Sequence, residues 1–251
     1  MAVSLDGHVA LVTGSSKGLG KGIARALGEA GAKVVLNYCH GQEAGERSYE
    51  ELKAAGCACM LVRANVVDPD SIANLVAEVN ARFGAIDILV PNATPDQPQR
   101  PIEDYSWDDY QAMIDFFIKS PYLLTRALLP GMKAKSWGRI VNIGSEVFQR
   151  GVGNFSAYVA AKGGQAGWTR SMATELAPFG ITVNQVSPGW IPVERHADDP
   201  QEDKDAYFAT IPAGRWGVPA DVGQAVCYLA SEESSFVTGQ TLCVNGGLTP
   251  L

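Results

Sequence analysis

The chain has 251 residues, of which 46% are hydrophobic and 19% are charged, and its formal net charge is −7. This composition is typical of a globular protein, and it gives no basic surface for nucleic acid or an anionic membrane. The first residues carry no secretory pattern, and no apolar run reaches the roughly eighteen residues that a membrane span needs. We therefore expect a cytoplasmic protein.

The five cysteines are odd in number, and four of them lie in or beside apolar segments. Cys57 and Cys59 form a C-x-C pair with no second cluster and no histidine nearby. A metal ion usually needs four such ligands, so we expect free, mostly buried thiols and no metal site. The cysteines are Cys39, Cys57, Cys59, Cys227 and Cys243.

Short apolar runs alternate with helical patterns along the whole chain. Buried strands are predicted for residues 9–12, 33–36, 59–62, 87–90, 139–145, 181–186 and 241–244. Helices are predicted from about residue 21 to 30 and for residues 41–55, 71–83, 158–177 and 219–230, and residues 107–133 are predicted to form one long helix or two. The alternation predicts a single α/β domain over residues 1–251, with a doubly wound parallel sheet of about seven strands and helices on both faces.

A glycine-rich loop, Thr13 to Gly20, joins the first predicted strand to the first helix. Such a loop presents backbone N–H groups and the positive end of the helix dipole to a phosphate, although its spacing also fits a turn without a ligand. The second strand is followed by Asn37-Tyr-Cys-His40, without the carboxylate that would favour NAD. With Lys17 inside the loop, this favours NADP, unless Lys17 is only a solvated loop charge.

A phenol and an ammonium lie four residues apart in Tyr158-Val-Ala-Ala-Lys162, and therefore share one face of a helix. A neighbouring cation favours the ionised phenol, so we expect Lys162 to lower the pKa of Tyr158. Ser145 ends a predicted strand, where ligands bind in open α/β sheets. The alternative is an ordinary helical pair with no chemistry.

Six ordered motifs resemble those of the classical short-chain dehydrogenase/reductases, and the resemblance covers the chain end to end. They are Thr13–Gly20, Asn92-Ala93, Ser145, Tyr158 with Lys162, Pro188-Gly189, and the carboxyl-terminal features Arg215-Trp-Gly217, Thr238-Gly239 and Gly246-Gly247. Within the family, the chain resembles 3-oxoacyl carrier-protein reductases and glucose dehydrogenases. The resemblance implies a Rossmann fold, bound NADP or NAD, and hydride transfer between the nicotinamide and a carbonyl or alcohol carbon.

The resemblance also implies roles for particular residues. Tyr158 would be the general acid and base, Lys162 would hold the nicotinamide ribose, and Ser145 would hydrogen-bond the substrate oxygen. The residues implied to bind the cofactor are Gly14, Ser16, Lys17, Gly18, Leu19, Gly20, Asn37, Asn65, Val66, Asn92, Ala93, Tyr158, Lys162, Pro188, Gly189 and Ile191.

Four positions depart from the family pattern. Phe117 stands where a catalytic asparagine is usual, and Thr94, Asn65 and Val193 replace a glycine, an aspartate and a threonine. These departures support an alternative function, a catalytically weak cofactor-binding protein that acts as a redox sensor or an assembly subunit. A dehalogenase on this fold would lack the nucleotide glycines, which this chain keeps.

The substrate side is predicted from residues 146–154 and from a loop at about 190–214, whose acidic stretch 198–205 we interpret as a solvated lid face. The expected partner is a small carbonyl or alcohol compound, with no nucleic acid and no membrane. Lys133, Lys135 and Arg139 are candidates for docking an acidic carrier protein, but scattered basic residues more commonly serve solubility. The resemblance and the apolar helices at 107–130 and 158–177 predict a homotetramer.

Overall fold

Seven parallel strands form one sheet in the described chain, residues 3–250 of the computed structural model. Their order is β3-β2-β1-β4-β5-β6-β7, which confirms the predicted doubly wound sheet. The strands are β1 (Val9–Val12), β2 (Lys33–Tyr38), β3 (Cys59–Arg63), β4 (Ile88–Val90), β5 (Gly138–Ile143), β6 (Ile181–Pro188) and β7 (Thr241–Val244).

Helices cover both faces of this sheet. Ala10 and Val12 of β1 face one apolar cluster, and Val9 and Leu11 face the other, because successive strand residues point to opposite faces. The helices of the described chain are α1 (Gly18–Glu29), α2 (Gln42–Ala54), α3 (Pro69–Arg82), α4 (Trp107–Ile114), α5 (Ser120–Lys135), α6 (Val147–Arg150), α7 (Ser156–Leu176), α8 (Gln201–Phe208) and α9 (Pro219–Ala230).

The strand order reverses between β1 and β4. From this pair the chain builds outward to β3 on one side and to β7 on the other, and β1 pairs with β4 through Leu11–Leu89 and Val12–Val90. Such a reversal opens a crevice outside the carboxyl ends of the strands, because the connecting loops diverge there. The crevice is where the glycine-rich loop begins.

The segment 107–133, predicted as one long helix or two, forms two helices with a π-helical turn between them. α4 ends at Ile114, a π-helical turn spans Asp115–Lys119, and α5 begins at Ser120. A π-helical turn carries one extra residue, which changes the direction of the side chains that follow it. Phe117 lies in this turn and is buried against α7.

Two of the three basic residues considered for a carrier-protein surface are bonded within the fold. Arg139 is buried, and its Nε donates to the carbonyl of Ser231 at 3.1 Å. The Nζ of Lys135 pairs with the buried carboxylate of Asp87 at 2.6 Å. Arg139 is therefore part of the core, which corrects the interpretation of all three as solubility residues.

All five cysteines are free thiols, three of them buried and two half-buried. Between residues 3 and 250, no helix combines the length and the apolar character needed to cross a membrane.

Candidate active site

The glycine-rich loop turns from β1 into α1 through two left-handed residues. Gly14 has a φ of +61° and Gly18 a φ of +59°, a region that favours glycine. A Cβ on Gly14 would lie 2.8 Å from the Cα of Ala93, so the loop packs directly against the chain that leaves β4. The first turn of α1 carries no acidic residue. Backbone N–H groups and the helix dipole therefore make this loop a cradle for an anion.

Asn92 fastens the end of β4 to the same loop. Its Nδ2 donates to the carbonyl oxygens of Thr13 at 2.9 Å and Gly14 at 3.1 Å. The backbone N–H groups of Asn92 and Ala93 donate to the hydroxyl of Thr13 at 2.9 and 3.0 Å. Thr13 thus acts as an internal clamp between β1 and β4, and it keeps both strand ends at one edge of the crevice.

Asn37, at the end of β2, is bonded to two neighbouring segments of backbone. Its Oδ1 accepts the N–H of Gly14 at 3.1 Å, and its Nδ2 donates to the carbonyl of Ala64 at 3.1 Å. The side chain is buried between β1 and β3, with both ends of its amide bonded to backbone. The amide of Asn37 thereby holds β1 and β3 together beside the glycine-rich loop, and its predicted contact with the cofactor stays a prediction.

The remaining residues predicted on the nucleotide side lie at the same edge of the sheet. Lys17 directly precedes α1, and its side chain is exposed. Asn65 and Val66 follow β3, where the Oδ1 of Asn65 accepts the N–H of Val67 at 3.3 Å. Ser16, Leu19 and Gly20 belong to the loop and first turn of α1.

Ser145 and Tyr158 meet just beyond the end of β5. Tyr158 lies in the first turn of α7 and is buried, with its ring stacked on Phe155 at 4.7 Å and edge-on to Phe117 at 5.3 Å. The nearby Ser145 hydroxyl lowers the pKa of the phenol, but burial has the larger effect and raises it. The pKa of Tyr158 is therefore raised, and the phenol keeps its proton at neutral pH.

Lys162 occupies a buried position one turn further along α7. Its Nζ donates to the carbonyl of Ile143 at 2.6 Å and to the Oε1 of Gln165 at 3.3 Å, and it lies 3.7 Å from the ring centroid of Phe117. The side chain is only 2% exposed, and burial lowers the pKa of Lys162 well below its usual range. Burial raises the pKa of Tyr158, and the groups that oppose this shift are Ser145 and Arg195 rather than the expected Lys162.

The segment after β6 runs from the end of β7 to the glycine-rich loop. Pro188 ends β6, and the N–H of Gly189 donates to the carbonyl of Val244 at 3.1 Å. Ile191 is buried, and the Cγ2 of Val193 lies 3.4 Å from where a Cβ on Gly18 would be. The segment therefore reaches the glycine-rich loop through Val193, with the predicted Pro188, Gly189 and Ile191 between β6 and that contact.

The structure adds Arg195, which the sequence did not distinguish from other loop charges. Its Nη2 donates to the Oε1 of Gln97 at 3.2 Å, so it bridges the segments after β4 and β6. Its positive charge lowers the pKa of Tyr158 and of Lys162.

Glu146 is a second residue that the sequence did not single out. It follows Ser145 directly and is buried, and its Oε1 accepts hydrogen bonds from Tyr207 and Arg150. The available signal was a carboxylate directly after the serine of the motif. The parallel sheet, the anion cradle and the Ser145–Tyr158 pair together define a dinucleotide-binding oxidoreductase.

Comparison with known proteins agrees with this class. A model of the family described as enoyl-(acyl carrier protein) reductase matches residues 14–249. The 3-oxoacyl-[acyl-carrier-protein] reductase FabG of Vibrio cholerae is 40% identical over 98% of this chain and 99% of that protein. The protein of the same description from Escherichia coli is 38% identical over the same shares.

Two solved structures share the whole architecture. A gluconate 5-dehydrogenase from Burkholderia cenocepacia, in complex with NADP and tartrate, is 34% identical with a TM-score of 0.90, over 98% of this chain and 96% of that chain. A putative gluconate dehydrogenase from Agrobacterium tumefaciens is 32% identical with a TM-score of 0.93 over the full length of both chains. The chain belongs to the short-chain dehydrogenase/reductase family, and it is an oxidoreductase of that family's NAD(P)-dependent type.

Proposed function

We propose that this protein transfers a hydride between NADP(H) and the carbonyl or alcohol carbon of a small substrate, with Tyr158 as the general acid and base. The observation that carries the proposal is the buried Ser145–Tyr158 pair, which lies beside the same crevice as the glycine-rich cradle. A proton donor and an anion cradle at one edge of a parallel sheet are what this reaction needs from a protein.

The residues of the cradle fit a dinucleotide. Gly14 and Gly18 have backbone conformations that expose N–H groups, and a Cβ on Gly14 would close the loop against Ala93. When bound, the nicotinamide supplies or accepts the hydride. NADP is favoured over NAD by the exposed Lys17 and by the lack of a carboxylate in residues 37–40, and the relative from Burkholderia cenocepacia holds NADP.

In the reducing direction, the Tyr158 phenol donates its proton to the substrate oxygen. The Ser145 hydroxyl donates a hydrogen bond to the same oxygen and stabilises the negative charge that develops there. Two of the three N–H donors of Lys162 are used by Ile143 and Gln165. The third remains for a ribose hydroxyl.

The names of the relatives suggest two substrate classes for this chain, 3-oxoacyl thioesters and sugar acids such as gluconate. The first experiment titrates the protein with NADPH and with NADH in parallel and measures binding by the change in nicotinamide fluorescence. A panel of 3-oxoacyl thioesters, gluconate and simple ketones or alcohols then identifies what the protein turns over.

Tyr158→Phe tests the proposal directly. Removing the phenol oxygen should lower turnover by at least about hundredfold, because general acid–base catalysis contributes that much, while NADPH binding stays measurable. Tyr228→Phe makes the same chemical change at an exposed site and serves as the control. Unchanged turnover in Tyr158→Phe would refute the assignment. NADPH binding by the wild type without turnover of any substrate would favour the catalytically weak alternative.

A further inference from the structure

A buried carboxylate lies beside Ser145 and is not used for proton transfer. Glu146 is 2% exposed, and its Oε1 accepts hydrogen bonds from the Tyr207 hydroxyl at 2.5 Å and from the Nη1 of Arg150 at 3.0 Å. Its Oε2 is also buried and has no hydrogen-bond partner among residues 3–250. Burying a carboxylate costs desolvation free energy, so the burial of Glu146 requires a compensating role.

Tyr207 connects this carboxylate to the segment that follows β6. Its hydroxyl donates to Glu146 and accepts the backbone N–H of Trp190 at 2.7 Å. Gly189 leaves room for this contact, because a Cβ there would lie 2.7 Å from the phenol oxygen. The Tyr207 ring stacks on Trp216, with 5.8 Å between centroids. One phenol therefore ties together the ends of β5 and β6.

Tyr207 belongs to α8, which is otherwise loosely attached. α8 contributes no buried residue, and its first turn is acidic. Within the described chain, the other side-chain hydrogen bonds of α8 stay between residues 197 and 210. Among residues 3–250, the Tyr207 hydroxyl thus makes the only side-chain hydrogen bonds between α8 and the carboxyl ends of the strands.

We propose that Glu146 and Tyr207 form a latch that holds the substrate loop, residues 190–214, closed over the active site. The inference rests on the proposed function, since it assigns two positioning residues to that reaction. A hydrogen bond to a buried carboxylate is strong, which favours the closed loop. When the loop opens, water can hydrogen-bond the unpaired Oε2 of Glu146. This hydration reduces the free-energy difference that favours the closed loop, so the loop can open and release its ligand.

Limited proteolysis tests the latch without any substrate. Trypsin can cut after Arg195 and Lys204, and it does so in proportion to the population of the open loop when opening is fast. Tyr207→Phe removes the hydroxyl and keeps the ring on Trp216, so cleavage should accelerate about tenfold or more. Glu146→Gln keeps a carbonyl acceptor, and its effect should be smaller. The double variant should be cut no faster than Tyr207→Phe alone, because both changes break one interaction.

The controls are Glu202→Gln, which changes an exposed carboxylate on α8, and Tyr228→Phe on α9. Both should be cut at the wild-type rate. A wild-type rate in Tyr207→Phe would overturn the latch. A matching fall in melting temperature, with cleavage spread along the whole chain, would also overturn it, because the role would then be structural.

Kinetics separate positioning from general damage. On a substrate that the wild type turns over, Tyr207→Phe should raise the substrate KM about tenfold while NADPH affinity stays within about twofold, since the cradle lies on α1. An equal weakening of substrate binding and of NADPH binding would contradict the latch. If no substrate is found, the proposed function fails, but the cleavage rates still decide whether the latch exists.

Discussion

At the scale of single residues, Phe117 sets the surroundings of the catalytic pair. Its ring lies edge-on to Tyr158 and 3.7 Å from the Nζ of Lys162. A desolvated cation over an aromatic ring gains about 2 kcal/mol, which offsets part of the cost of burying the ammonium. A phenylalanine at this position therefore keeps Lys162 in the crevice but leaves the phenol among apolar groups, which raises its pKa.

The raised pKa of Tyr158 predicts how the rate depends on pH. In alcohol oxidation the phenolate accepts the proton, so below this pKa the rate should rise about tenfold per pH unit and continue to rise beyond pH 9. In carbonyl reduction the phenol is the donor and is already protonated at neutral pH, so the same rise should be absent. Initial rates of oxidation and of reduction, measured across pH at saturating cofactor, test this difference in pH dependence. An oxidation rate that levels off below about pH 8 would contradict it.

At the scale of elements, the junction of β1, α1 and β4 forms the cradle at which the nucleotide is proposed to bind. Thr13 and Asn92 clamp the two strand ends together, and Gly14 allows the close approach of Ala93. The N-terminus of α1 is thereby held at the strand-order reversal, with Lys17 exposed beside it. A phosphate at this position meets the helix dipole and the ammonium together.

Lys17→Ala tests the role of that ammonium. The variant should bind NADPH about tenfold more weakly and bind NADH within about twofold of the wild type, because only NADPH carries the 2′-phosphate. Nicotinamide fluorescence titrations measure both affinities. Lys33→Ala, an exposed lysine at the start of β2, is the control. An equal loss for both cofactors would show that Lys17 contacts the pyrophosphate instead.

At the scale of the whole molecule, several large apolar side chains lie on the surface. Trp107 of α4 is 68% exposed, and Phe236, which precedes β7, is fully exposed. β7 is the last strand of the sheet and has no neighbour on its outer side within the described chain. Exposed aromatic residues near an open strand edge are typical of surfaces that are covered in an assembly.

The expected assembly is a homotetramer of four 26.7 kDa chains. Size-exclusion chromatography with light scattering should give that mass, and Phe236→Asp should shift the protein toward smaller species, because a charge is costly to bury at an apolar contact. Glu233→Asp, a neighbouring exposed change that keeps the charge, is the control. A monomeric wild type would contradict the prediction.

The sequence by itself determined the seven strands, the helices on both faces and the convergence of Ser145 with Tyr158. These features depend on periodicity, glycine conformation and the rule that parallel strands end at one edge, which are all readable from local spacing. The π-helical turn at Phe117, the bonded amide of Asn37 and the partners of Lys162 were decided by tertiary structure. The bond between Glu146 and Tyr207 joins residues 61 positions apart. Spacing tells which face a side chain occupies, but its partner and its pKa depend on what distant segments pack against it, and only the folded chain specifies that.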